Sequence, residues 1–158
     1  MIESHTHAST EFAATSYKQM RTLAMSFAGA LAVYAIVTEV LTRGPAVEAP
    51  AYFGPLRIAF FVVAGVMIFT ATIVKSMMLR SAPADPAARL ARLRTATLTA
   101  LAMSEVPALF GLVLVFIGRA RPDFYMLLAI SAYMLVRHFP RRGPWEDYLT
   151  RGAARTVR

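Results

Sequence analysis

Long apolar blocks constrain this chain more than any other feature of its sequence. A helix needs about 20 apolar residues to cross the roughly 30 Å hydrocarbon core of a bilayer. Blocks of about this length cover residues 20–41, 56–79, 95–118 and 122–139. Only 16% of the 158 residues are charged, against about 25% in a typical soluble domain. The sequence therefore predicts an all-α polytopic membrane protein, with four transmembrane helices in an antiparallel bundle joined by short loops.

The rest of the chain predicts a polar tail at 1–19 and a basic tail at 140–158, which leaves no room for a separate soluble domain of typical size. The first block is expected to be retained as a helix, since its apolar core exceeds the 7–15 residues typical of a signal peptide. The fourth block is the shortest, with an uninterrupted apolar core of about 20 Å between its charged ends. A re-entrant segment, or one in a thin region of the membrane, is the alternative for that block.

The positions of the basic residues predict the orientation of the four spans. Of the 17 lysines and arginines, thirteen fall on the side that carries both tails and the middle loop. The opposite side holds Arg43, Arg57, Arg119 and Arg121. By the positive-inside rule, both termini are cytoplasmic, and we expect a bacterial-type inner cell membrane. The basic residues then fix orientation and bind anionic lipid head groups rather than nucleic acid.

Glu105 is the only acidic residue near the centre of a predicted span. A charged side chain there costs about 2.5–3.5 kcal/mol on insertion scales, so a partner, water or protonation must reduce that cost. Pro107 leaves a carbonyl of the preceding turn without its helical donor and favours a kink beside the carboxyl group. We expect Glu105 to face protein rather than lipid. Its candidate partners on other helices are Tyr34, Thr70, Thr72, Ser131 and Tyr133.

Small residues recur at four-residue spacing in two of the predicted spans. Such stripes let membrane helices approach one another closely. The stripes are Ala24, Ala28 and Ala32 in the first span, and Ala96, Ala100, Ser104 and Ala108 in the third. They predict two helix-packing faces, one of them next to Glu105.

The stretch from Arg92 to Val115, RLRTATLTALAMSEVPALFGLVLV, resembles the carboxylate-bearing helix of the c subunit, or proteolipid, of rotary ATP synthases. The shared features are a mid-membrane Glu and the aromatic-glycine run at Phe110 and Gly111 after it. The preceding span is not glycine-rich, and two further spans flank the matched helix, so the resemblance covers this helix alone. It implies a proton- or cation-binding role for Glu105 and for no other residue.

Several other polar residues are explained by structural roles or by exposure to solvent or lipid. Glu39, near the end of the first span, is expected to reach the interface or to pair with Arg43 at i+4, with ion binding as the alternative. His5 and His7 could form a metal pair but are better explained as a solvated tail. The end of the fourth span and the basic tail predict a lipid anchor or a partner-docking patch. Its residues are Arg137, His138, Arg141, Arg142, Trp145 and Tyr148.

Enzymatic motifs are absent from the sequence. The chain has no cysteine, no intramembrane histidine pair for haem, and no nucleotide-binding loop, zinc motif or nucleophile elbow. We therefore predict no enzyme activity, no cofactor and no metal. The leading hypothesis is an accessory or structural subunit that anchors partners and lipids within a larger membrane complex. The alternative is proton or cation translocation through Glu105.

Overall fold

The computed structural model describes the backbone of residues 2–45, 48–80, 83 and 85–151, and the side chains of these ranges between residues 14 and 149. The described part of the chain is all-helical, as predicted, with five helices and no strand. The helices are α1 (Ile2–Leu41), α2 (Phe53–Arg80), α3 (Pro86–Gly118), α4 (Arg121–His138) and α5 (Arg142–Arg151).

α1 begins at Ile2, so most of the predicted polar tail belongs to the same helix as the first apolar block. The physical reason is the absence of a helix breaker, because residues 2–41 contain no proline and only one glycine, Gly29. The sequence predicts that the third helix starts near residue 86, with Asp85 as its N-cap and Pro86 at its first position, and the structure confirms this start. The Asp85 carboxylate caps the helix by accepting the Ala87 and Ala88 backbone N–H groups at 3.3 and 2.9 Å, and Pro86 occupies the first turn.

Three helices, not the predicted four, are long and apolar enough to cross a membrane within the described residues. They are α1 over Ala14–Leu41, α2 over Phe53–Arg80 and α3 over Pro86–Gly118. The prediction of a fourth span at 122–139 is wrong on this measure. α4 has only 18 residues, and its charged residues at both ends leave too short an apolar stretch.

α3 lies at the centre of the fold and contacts each of the other four helices. α4 runs antiparallel along α3, while α1 and α2 pack mainly on this pair. One apolar cluster joins α1 to α3 and α4 around Leu31, Leu101 and Leu135. A second joins α2 to α3 and α4 around Leu114 and Leu127, and includes stacked rings of Phe60 and Phe110 at 4.6 Å.

The helix directions divide the molecule into two ends. We use "basic end" for the end where α3 begins and where α2 and α4 terminate, and "far end" for the end that holds the α1–α2 and α3–α4 connections. α5 follows α4 and docks at the basic end, against the first turns of α3 and the side of α1. The predicted basic tail therefore includes a packed helix.

Candidate functional site

The Glu105 carboxylate is bound by a hydroxyl from a different helix. Tyr34 of α1 donates its O–H to Glu105 Oε1 of α3 at 2.5 Å, and both side chains are half-buried. Bonds from a hydroxyl to a charged acceptor are the short, strong members of their class. This contact ties the middle of α1 to the middle of α3.

The crevice around the carboxylate is narrow and mostly apolar. It is lined by Phe27, Leu31, Leu101, Ser104, Glu105 and Leu135, and it has no space for a water molecule. Glu105 lies at the outer edge of the α1–α3 contact, between buried Leu101 and Ser104 on one side and exposed Ala102 and Leu109 on the other. The Tyr34 hydroxyl is the polar partner that this environment supplies.

A second hydroxyl accepts a hydrogen bond from the backbone next to Pro107. The N–H of Ala108 donates to Ser131 Oγ of α4 at 2.9 Å, and Ser131 is fully buried. Ser104, one turn before Pro107 and Ala108, donates its own hydroxyl to the Ala100 carbonyl at 2.7 Å. Two hydroxyls on α1 and α4 thus bond to α3 within one turn of its proline.

The remaining candidate partners of Glu105 bond elsewhere. Thr70 and Thr72 donate to the carbonyls of Val66 and Ile68 in their own helix, at 3.0 and 3.1 Å. Tyr133 is exposed and accepts a bond from Arg137 at 3.0 Å. Of the five candidate partners predicted from the sequence, only Tyr34 forms a hydrogen bond with the Glu105 carboxylate.

The two predicted small-residue stripes differ in where they lie. All four residues of the α3 stripe are buried: Ala96, Ala100, Ser104 and Ala108. In α1, Ala24 is buried and Ala28 packs against the core, but Ala32 is exposed. The α1 contact with α3 therefore runs through Ala24, Ala28 and Leu31 to Tyr34.

Glu39 takes part in a polar cluster at the far end, where α1 meets α4. The expected pairing with Arg43 is replaced by an ion pair with Arg121 of α4 at 2.5 Å, and Tyr125 donates a further hydrogen bond to the same carboxylate. Arg43 is exposed. The fold brings Arg121 to Glu39 from a remote part of the sequence, a contact that helical spacing does not predict.

Two more arginines link helices at the far end. Arg57 of α2 forms an ion pair with buried Asp123 of α4 at 2.7 Å. Its geometry is not that of a hydrogen bond, and Asp123 Oδ1 has no hydrogen-bond partner among the described residues. Arg119 follows α3 in the left-handed region, with φ of 51°, and donates to the last carbonyl of α1, at Leu41. We call Glu39, Arg57, Arg119, Arg121 and Asp123 the far-end clamp, since they join α1, α2 and α4 across the α3–α4 connection.

The aromatic residues of the predicted basic tail pack within the chain. Trp145 is only 4% exposed and contacts a cluster that includes Met20, Leu90 and Leu93. Tyr17 meets its ring edge-on at 6.0 Å. Arg89, also buried, donates to the Leu149 carbonyl at 2.5 Å and to the Pro83 carbonyl at 3.1 Å. Sequence reasoning missed Arg89, because only the docked position of α5 explains its burial.

The six predicted lipid or partner contacts therefore fall into two sets. Arg137, Arg141 and Arg142 are exposed, and Arg142 pairs with Glu146 at 2.8 Å. His138 is buried with no partner for Nε2 among the described residues, and half-buried Tyr148 packs beside Trp145. Of the six predicted contact residues, only the three arginines are exposed on the surface of the described chain.

No group of three or more His, Asp or Glu side chains in the described part of the chain is placed to hold a metal ion. The side chains of His5 and His7 lie outside the described residues.

Comparison with known proteins gave no match to a protein-family model, to a curated protein or to a solved structure. The fold and the site define the class as a helical-bundle protein with three candidate membrane-spanning helices. The resemblance of residues 92–115 to the c subunit stays a prediction. It does not assign the chain to a family.

Proposed function

We propose that this protein is an integral membrane subunit with a structural role, which joins a larger membrane assembly. The observation that carries the proposal is the hydrogen bond from Tyr34 to Glu105 across the α1–α3 contact. The crevice around this bond has no space for a water molecule. A carboxylate held in this way stabilises helix packing. The far-end clamp supports the same role, because its charges also join helices to one another.

The apolar surface supports a partner role. In the most apolar stretches of α1 and α2 only 11% of residues are buried, against 44% in α3. Ile36, Ile58 and Phe69 are among the outward side chains, each more than 60% exposed. These faces suit acyl chains or the helices of another subunit, since both present apolar side surfaces to a neighbour.

A photocrosslinking experiment tests this proposal. A photoreactive phenylalanine is placed at Ile36 or Phe69, with Leu127, which is fully buried, as the matched control position. After gentle extraction from the native membrane, we expect one adduct of defined mass at an outward position and none at Leu127, together with a complex of defined stoichiometry in native mass measurement. A lone monomer without adducts at either outward position would overturn the proposal.

The orientation belongs to the same proposal, with the basic end in the cytoplasm. The chain lacks cysteine, so single cysteines at Ala51 near the far end and at Ala87 near the basic end report each side separately. An impermeant maleimide added to intact cells should label Ala51→Cys but not Ala87→Cys. Labelling in the reverse pattern would show the opposite orientation.

A second function, proton or cation translocation through Glu105, is favoured by one observation. The carboxylate has a direct hydrogen-bonding partner in Tyr34, which could exchange a proton with it. In vesicles with a pH-sensitive dye, Glu105→Gln should abolish wild-type flux, while the control Glu146→Gln, at an exposed residue of α5, should not. Equal fluxes in wild type and Glu105→Gln exclude this function.

A further inference from the structure

An open groove lies at the basic end, between the early part of α1 and α3. Its volume is about 590 Å³, and it is lined by Thr15, Lys18, Gln19, Thr22, Leu23 and Arg94. These residues are outside the Glu105 site, the far-end clamp and the α5 cluster. The groove therefore raises a separate question of what it binds.

The groove is positively charged and rich in hydrogen-bond donors. Lys18 and Arg94 contribute two cations from different helices, and the lining residues that the structure describes include no carboxylate. Arg94 donates to Gln19 Oε1 at 2.7 Å, which orients the guanidinium beside the groove. An arginine and a lysine converging in this way suit the oxygens of a phosphate group.

The depth of the groove matches the surface of a bilayer. Lys18 precedes the apolar block that begins at Met20 by two residues, and Arg94 directly precedes the block that begins at Thr95. Basic residues at such boundaries lie at the level of the lipid head groups. A phosphate bound here belongs at head-group depth.

An apolar strip continues from the groove toward the far end. On α3, the exposed residues Leu98, Ala102, Leu109, Val113 and Phe116 follow one another at helical spacing. They lie on the same side of the helix as Arg94, within about 100° by the 3.6-residue period. Half-buried Glu105 lies between Ala102 and Leu109 on this side and is bonded by Tyr34. A ligand with a phosphate at the groove could therefore lay an apolar chain along this strip.

We propose that the groove binds an anionic phospholipid, with its phosphate held by Lys18 and Arg94 and its acyl chain along the exposed strip of α3. The proposal requires only that the basic end lies at a membrane surface. It does not depend on the structural subunit role, and a protein without partner subunits would bind the same lipid.

The test uses the full chain in mild detergent, titrated with phosphatidylglycerol or phosphatidylcholine and read by native mass spectrometry. The test variant is Lys18→Gln with Arg94→Gln. The matched control is Arg21→Gln with Arg80→Gln, which removes the same charge from two exposed residues that do not line the groove. We expect the affinity for the first phosphatidylglycerol to fall about 30-fold in the test variant and to stay within about twofold in the control.

Three results would overturn the proposal. They are equal losses in both double variants, which would indicate diffuse charge attraction; equal binding of the two lipids by wild type; and displacement of the lipid by glycerol phosphate at the same concentration, which would indicate a site for a free phosphate compound. If Lys18→Gln with Arg94→Gln does not fold, Leu23→Trp takes its place. That variant places a bulky side chain in the groove without changing its charge and should lower phosphatidylglycerol binding by obstructing the site. Unchanged binding would overturn the proposal.

Discussion

At the scale of single residues, two hydroxyls determine how the middle of α3 is stabilised. Tyr34 donates to Glu105 from α1, and Ser131 accepts the Ala108 N–H from α4. Both contacts lie within one turn of Pro107, where the helix lacks one of its own donors. Side chains of two neighbouring helices therefore form hydrogen bonds with α3 close to its proline.

Replacement of Tyr34 by Phe tests the first contact. Because Glu105 then loses its hydrogen-bond donor in an apolar crevice, we expect the free energy of unfolding to fall by about 1–3 kcal/mol. The measurement is thermal unfolding of the detergent-solubilised protein, followed by Trp145 fluorescence. Tyr52→Phe, at a residue 61% exposed, is the control and should change stability little.

A double-mutant cycle isolates this contact from other effects of the two substitutions. If Tyr34 and Glu105 act through one another, Tyr34→Phe should cost much less in a Glu105→Leu background than in wild type. Additive losses in the two backgrounds would contradict the contact.

Replacement of Ser131 by Ala tests the second contact. The Ala108 N–H then loses its hydrogen bond to α4, and we expect a loss of about 0.5–1.5 kcal/mol in unfolding free energy. Ser26→Ala removes an exposed hydroxyl that donates to the Thr22 carbonyl of its own helix, and should be nearly neutral. A loss of the same size in Ser26→Ala would show that the hydroxyl contact with α4 has no special role.

At the scale of the helices, close approach of α3 and α4 depends on a glycine. A Cβ built at Gly111 lies 3.1 Å from the Cα of Phe124 and 3.0 Å from its ring. Because one of these atoms belongs to the α4 backbone, a shift of the side chain alone does not relieve the contact. Gly111 is the glycine of the c-subunit resemblance, and here it has a packing role.

Gly111→Ala should therefore lower the unfolding temperature, even though alanine is the better helix former. Gly65→Ala is the matched control, since nothing lies within 4 Å of a Cβ at that position in α2. There we expect a gain of up to about 1 kcal/mol from the helix propensity of alanine. The reverse order of the two variants in thermal unfolding would contradict the proximity of α3 and α4 at Gly111.

At the scale of the whole molecule, α5 packs against the first half of α1 and the first turns of α3. Trp145 packs on α1 and α3 residues, and the buried guanidinium of Arg89 donates to a carbonyl near the end of α5. A cation at that position also interacts favourably with the negative end of the helix dipole. α5 is therefore docked through one aromatic side chain and one charged hydrogen bond.

Trp145→Ala should release α5 from this position, because truncation of a buried tryptophan costs about 3–5 kcal/mol and α5 has few other buried side chains. Limited trypsin digestion should then cut after Arg142 several times faster than in wild type, as read by mass spectrometry. Gly143→Ala, in the same helix and with nothing within 4 Å of its Cβ, should not accelerate cleavage. Unchanged cleavage in Trp145→Ala would show that α5 is held by other contacts.

The sequence by itself determined the helical class, the positions of the apolar blocks, the Asp85 cap and the difference in charge between the two ends. Each of these follows from local properties, such as block length, capping chemistry and the positions of arginines. It also picked out Glu105 and included Tyr34 among five possible partners. Sequence reasoning failed on the fourth span, because the charged residues of α4 shorten its apolar stretch.

Only the tertiary structure decided which polar groups meet. Glu39 pairs with Arg121 rather than Arg43, and Glu105 accepts from Tyr34 rather than from the four other candidates. Trp145 and Arg89 are buried because α5 docks on α1 and α3, whereas the sequence predicted a lipid anchor or a partner-docking patch in this region. These contacts join residues that are far apart along the chain, so they depend on how α1, α4 and α5 pack around α3, which no local pattern encodes.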